Sequence, residues 1–144
     1  VKVLCEKLKT DFDYIIVDAP SGIDDGMVLA SAGADAAIIV ATPEYAALRD
    51  ADMVDREILK MGIRNRYLII NKLSAPLMEA GCIPGLQEIT HMIRAKLIGI
   101  IQFDTNINLS TNLGEPIVMI QNTYIQKNFN NIVDRLVKET KEAR

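Results

Sequence analysis

The chain has 144 residues, 49% hydrophobic and 24% charged, so it can bury a sizeable core and has the composition of a folded protein rather than a disordered one. Its net charge of -3 excludes the broadly basic surface of a general nucleic-acid binder. Cys5 and Cys82 lie far apart with no CxxC spacing, and the single His91 completes no zinc pattern, so neither a disulfide framework nor a metal cluster is expected.

Val1, Leu4, Cys5 and Leu8 fall at helical spacing, and a chain that starts with Val inside a helix is expected to be the later part of a longer protein. No apolar run reaches the roughly 18 residues of a membrane span. Tyr14 to Val17 is a continuous apolar run, which predicts a strand buried on both faces. It ends in Asp18, and Ala19-Pro20-Ser21-Gly22 follows as a turn. In open α/β sheets ligands bind beyond the carboxyl ends of the strands, so an acid there, followed by a small-residue loop, suits the handling of magnesium and phosphoryl groups. The alternative for Asp18 is a cap on the next helix.

That helix is expected over Met27 to Ala32, entered through Asp24 and Asp25. Ala36 to Ala41 predicts a second buried strand, and Thr42-Pro43-Glu44 turns the chain into a helix of about Ala46 to Met61. Its inward stripe is Leu48, Met53 or Ala51, Val54, Ile58 and Met61; Arg49, Asp50, Asp52, Asp55, Arg56, Glu57 and Lys60 form a solvated face. Tyr67 to Ile70 is the third strand, ending in Asn71-Lys72, and Ser74 to Gly85 is expected to be a loop. A helix over Leu86 to Ala95 carries Ile89, Met92 and Ile93 inward, with a structural His91 beside them. Leu97 to Ile101 is the fourth strand and runs into Gln102-Phe103-Asp104. A short helix around Ile107 to Leu113 stops at Gly114, and the last helix, Thr123 to Lys138, buries Ile125, Phe129, Ile132, Val133 and Leu136 before a charged tail to Arg144.

Strands alternating with helices predict an α/β fold: a single domain over 1–144 with a three-layer parallel sheet and helices on both faces. One edge then collects Asp18, Thr42, Asn71 with Lys72, and Asp104.

The ordered motifs Asp13-Tyr14-Ile15-Ile16-Val17-Asp18-Ala19-Pro20-Ser21-Gly22-Ile23, Ala34-Asp35, Thr42-Pro43-Glu44 with Arg49-Asp50-Ala51-Asp52, and Gly114-Glu115-Pro116-Ile117 together resemble the ParA/MinD (deviant Walker A) family of P-loop NTPase-like ATPases. The resemblance implies ATP and magnesium as cofactors and, in the cell-division branch, an ATP-dependent homodimer whose cycling positions the septum. Asp18 would be the Walker B acid, holding magnesium through water; Ser21 and Gly22 would lie in switch II, which senses the γ-phosphate. Asn71 would read adenine, with Asp104 beside it. There the family has Pro-Glu-Asp and this chain has Gln102-Phe103-Asp104. The helix starting near Arg49 would receive MinC-like and MinE-like partners. A cytoplasmic protein is implied, peripheral at the membrane through a C-terminal amphipathic helix that these residues lack. No GxxxxGK phosphate loop occurs here either, so the fold is expected to be incomplete on its N-terminal side. The alternatives are a ParA-type partition or flagellar-number ATPase, a phospho-acceptor receiver using Asp18, Thr42 and Lys72, and a non-catalytic interaction module.

Overall fold

Three of the four apolar runs hydrogen-bond into one parallel sheet in the computed structural model, which describes residues 1–142. The elements are α1 (Lys2–Leu8), α2 (Asp25–Ser31), β1 (Ala36–Ala41), α3 (Tyr45–Lys60), β2 (Asn65–Leu73), α4 (Ala75–Glu79), α5 (Leu86–Met92), β3 (Lys96–Gln102), α6 (Thr105–Asn112), a 3-10 turn (Ile117–Met119) and α7 (Tyr124–Glu142). The strand order is β1-β2-β3, with Ala36 opposite Asn65 and Tyr67 opposite Lys96, so all three carboxyl ends meet at one edge. Alternate side chains divide the core between the two faces. On one face Ile39, Leu68, Ile70 and Leu73 pack with Met27, Leu48, Ile58 and Ile89 from the helices; on the other Tyr67, Ile69, Ile98 and Ile101 pack with Ile132 of α7. This is the predicted three-layer arrangement.

The fourth run departs from expectation. Tyr14 to Val17 is not part of the sheet, and Ile16 is 93% exposed. A strand is held by a hydrogen-bonded neighbour, and the outer edge of β1 has none among the described residues. For the same reason β1 is not buried on both faces. Ile39 and Ala41 point into the core, whereas Ile38 and Val40 stay exposed, because α7 packs on β3 and leaves the β1 end of that face uncovered.

Smaller differences have local causes. The stretch expected to be a loop contains α4, started by Ser74 with a proline in its first turn, where the missing N–H costs nothing. The helix ending at Met92 leaves Ile93 buried in extended backbone. Helix α7 runs past Lys138 to Glu142; Ala143 and Arg144 of the charged tail lie outside the described residues. Its inward stripe is Ile125, Phe129, Ile132 and Leu136, with Val133 turned out. Met53 and Met61 are also exposed, and Ala51 takes the inward position.

Asp55, assigned by its charge to the solvated face of α3, is instead buried. It falls on the stripe Leu48, Ala51, Asp55, Ile58 and accepts a 2.6 Å ionic hydrogen bond from Arg66 Nε on β2. Arg66 also donates to the Arg64 carbonyl at 3.1 Å, which fixes the guanidinium. Removing one partner strands the other charge in a poorly solvated position. Asp55→Ala is therefore expected to cost about 3 kcal/mol in urea unfolding, and the Asp55→Ala, Arg66→Met double variant less than the sum of the singles.

A bulge sets how α7 docks. Leu68 pairs with Leu97, but Ile69 pairs with Gly99, which leaves Ile98 as the extra residue on β3. Ile98 and the hydrogen face of Gly99 both turn towards α7, and Arg135 donates to the Ile98 carbonyl at 2.8 Å. A Cβ on residue 99 would stand 2.2 Å from Cγ1 of the buried Ile132. Gly99→Ala should thus push α7 off the sheet and destabilise by about 1 to 3 kcal/mol; an unchanged denaturation midpoint would refute that close approach.

Candidate functional site

Parallel pairing alone brings Thr42, Asn71 with Lys72, and Asp104 to the carboxyl edge of the sheet. Asp18 is not carried there by a hydrogen-bonded strand, as had been expected. It lies exposed on the extended segment before α2, and its carboxylate has no ion pair among the described residues. The helix-cap alternative falls to Asp24, whose side chain accepts from Gly26 N at 3.0 Å and Met27 N at 3.2 Å. Ser21 and Gly22 are exposed in the intervening turn. Gly22 has φ +102°, which a side chain would strain, so the turn is built as the sequence suggests.

At the end of β2 a second bulge shapes the edge. Ile70 pairs with Ile100 and Leu73 with Gln102, so Asn71 and Lys72 together oppose Ile101. Strict alternation from Leu68 and Ile70 would send residue 72 into the core; the bulge sends Leu73 there instead and leaves Lys72 exposed. Lys72 reaches this geometry at φ +56°, a left-handed conformation that costs a non-glycine residue on the order of 1 kcal/mol. It is held by its own N–H, which donates to Asn71 Oδ1 at 2.9 Å, and by re-pairing beyond it, where Phe103 N donates to the Leu73 carbonyl at 2.9 Å. The Asn71 carboxamide is thereby oriented, its oxygen turned back to the chain and its Nδ2 donors left without a partner among the described residues.

Asp104 caps α6, accepting from Asn106 N at 2.7 Å, and also accepts from the Tyr124 hydroxyl at the start of α7. The phenol and then the backbone N–H hold its carboxyl below the usual carboxylate range, while the Tyr124 phenol is raised by the same bond. A groove of about 470 Å³ opens beside this pair, walled by Leu109, Leu113, Ile117 and Ile125. The sequence did not reveal Tyr124 as a partner, since it is twenty residues away; nor did it reveal the strain at Lys72, because nothing in Asn-Lys-Leu marks a bulge. A lowered carboxyl pKa contributes stability at neutral pH that is lost as pH falls through the lowered value. Tyr124→Phe should raise the Asp104 titration towards its ordinary range, as read by carboxyl-carbon NMR.

Comparison with known proteins relates the sequence and the fold. No protein-family model matches the chain. The septum site-determining protein MinD of Synechocystis is 41% identical over 134 residues, 92% of this chain and 50% of that protein. The Bacillus subtilis MinD is 35% identical over 97% of this chain and 53% of its own length. Among solved structures, the Aquifex aeolicus MinD cell division protein superposes with a TM-score of 0.90 at 32% identity, over 95% of this chain and 59% of that one. The chain is related in sequence and in fold to the MinD proteins. It spans about half the length of the relatives it matches. The A. aeolicus MinD has also been solved in complex with MinC, where the match has a TM-score of 0.87 at 33% identity over 94% of this chain and 56% of that one. A Pyrococcus horikoshii MinD complexed with Mg-ADP shares the fold at a TM-score of 0.82 and 21% identity, over 96% of this chain and 56% of that one. The three-layer α/β architecture read from the strand pattern, and the P-loop NTPase-like fold that the resemblance implied, are therefore those of these neighbours.

Proposed function

We propose that these residues are the later part of a MinD-type ATPase domain that binds ATP with magnesium at the carboxyl edge of the sheet. The observation that carries this reading is the convergence of Asn71 and Asp104 on that edge in a chain with a MinD fold. Oxygen donors suit magnesium, which keeps most of its waters and takes one or two carboxylates together with substrate phosphates. The exposed Asp18 supplies one such carboxylate. Magnesium, when bound, supplies charge neutralisation at the phosphates.

The chain's own residues divide the remaining work. Asn71 presents Nδ2 donors that suit a ring nitrogen of adenine, and a second lone pair on its oxygen remains for the exocyclic amine. Asp104 walls the base side, and Ser21 and Gly22 line the turn next to Asp18. ATP-dependent homodimerisation, MinC-like and MinE-like partners at α3 from Arg49 onward, and peripheral residence at the cytoplasmic membrane complete the proposal. In support, Arg49 and Asp50 are exposed on α3, and a related MinD is known in complex with MinC.

The test uses the full-length protein. Asn71→Ala should weaken ATP binding by about 1 to 3 kcal/mol, the usual cost of an unmade polar contact, with the preference for ATP over GTP reduced. Asp18→Ala should abolish magnesium-dependent hydrolysis, and residues 1–144 alone should hydrolyse ATP at background rate. Equal ATP affinity in wild type and Asn71→Ala would reduce Asn71 to a turn residue that orders Lys72.

A further inference from the structure

Between Lys96 and Lys127 the sequence contains no lysine, arginine or histidine, and the charged residues in that stretch are Asp104 and Glu115. Lysine and arginine make up 16 of the 144 residues, so a gap of this length leaves one part of the surface without cations. The fold gathers the stretch into β3, α6, the 3-10 turn and the start of α7.

The same stretch leaves apolar side chains uncovered. Helix α6 turns Ile107 towards the core under α7, and on its other side Leu109 and Leu113, one turn apart, are 59% and 77% exposed. Single exposed leucines are ordinary, but a contiguous apolar group with a polar rim marks a surface that another molecule covers. Here the group is contiguous: Leu109, Leu113, Ile117 and Ile120 line the groove of about 470 Å³ together with Asp104 and Glu115. Its walls are tied to one another. Glu115 N donates to the Ser110 carbonyl at 3.0 Å, closing α6 through Gly114 at φ +72°. Gln126 Nε2 donates to the Val118 carbonyl at 3.1 Å, and its Oε1 accepts from Asn122 N at 3.1 Å, which joins the 3-10 turn to α7. A groove set in advance lowers the ordering cost of binding.

Shape and charge together define the occupant. An apolar trough between two helices takes a third, amphipathic one, whose side chains one turn apart match Leu109 and Leu113. The charges of the rim are carboxylates: Asp104 is fixed by Tyr124 and by Asn106 N, and Glu115 is exposed and enters no salt bridge among the described residues. Cations beside the apolar face of the incoming helix are therefore attracted, whereas an anionic bilayer is repelled. We propose that the groove between α6 and the start of α7 is a docking site for a basic amphipathic helix of a partner protein. Its apolar side chains seat against Leu109, Leu113, Ile117 and Ile120, and its cations meet Glu115 and Asp104. This surface is separate from α3, which packs on the opposite face of the sheet, and the proposal does not rest on nucleotide binding.

The experiment measures fluorescence anisotropy of two labelled peptides on the full-length protein without nucleotide. One peptide is an amphipathic helix of leucine and lysine, and the other has glutamate in place of each lysine. The leucine-lysine peptide should bind and the leucine-glutamate peptide should not. Leu113→Ser, at an exposed position, should keep the wild-type melting temperature and weaken binding about tenfold. Glu115→Gln should weaken it about two- to fivefold, and Glu79→Gln, which removes the same charge from α4, should leave it unchanged. Unchanged binding in Leu113→Ser overturns the proposal, and so does an equal loss in Glu79→Gln, which would make the effect one of net charge. A wild type that binds neither peptide, or both alike, overturns it as well. Sedimentation of the same proteins without peptide tests the other occupant: self-association that Leu113→Ser abolishes would assign the groove to a second copy of the chain and overturn the proposal.

Discussion

Everything in this chain is positioned by β2, which is hydrogen-bonded on both edges and covered on both faces. Leu68 and Ile70 are fully buried towards α3 and α5, and Tyr67 and Ile69 are buried towards α7. Burying one such side chain is worth about 1.5 to 3 kcal/mol, so a one-residue slip of β2 would exchange both faces at once and forfeit several of these terms. The register is therefore fixed, and with it the edge at which the strands end. The parallel direction follows from the same strand, since α3 and the α4–α5 pair carry the chain back to the starting edge each time.

Regular alternation is broken in two places, and each break does something alternation could not. At Ile98 and Gly99 two consecutive residues face α7, one as a buried side chain and one as a bare backbone, and the helix comes in close over the second. At Asn71 and Lys72 the bulge occurs at the mouth of the sheet, where it turns polar groups outward without exposing Leu73. Bulges concentrate at sheet margins and next to functional sites because they re-aim side chains at a small cost in pairing. The two here divide those roles: one serves packing and the other serves the edge.

Sequence periodicity was legible wherever a single period ran uninterrupted. The limits of β1 and the existence of every helix but α4 and the 3-10 turn could be read from apolar spacing and from glycine and proline signals. Failures came where a residue's place depended on something distant in sequence. Tyr14 to Val17 has the composition of a buried strand, but composition does not supply a neighbour, and without one the segment stays extended and exposed. Asp55 was misread because charge was given more weight than position; its 3-4 spacing with Leu48, Ala51 and Ile58 was the available signal, and a charge on an apolar stripe implies a buried partner. Of the candidate site, the edge formed by Asn71 and Asp104 was legible from strand ends, whereas the hydrogen bonds that orient them belong to the tertiary fold.

The proposed site is thus held unevenly. Asn71 and Asp104 sit at or just beyond the ends of paired strands, each with its side chain fixed by a short-range hydrogen bond, whereas Asp18 lies on a segment that has no ladder on either side among the described residues. Recognition of a base needs the first kind of support, because a carboxamide reads donors and acceptors only when its orientation is set. Placing a metal ion against a phosphate needs the carboxylate fixed within a fraction of an ångström, which an unpaired segment does not provide. The proposed base recognition and the proposed hydrolysis would therefore draw on different parts of the fold. On the proposed reading the first would rest on β2 and its bulge, and the second on the extended segment that carries Asp18.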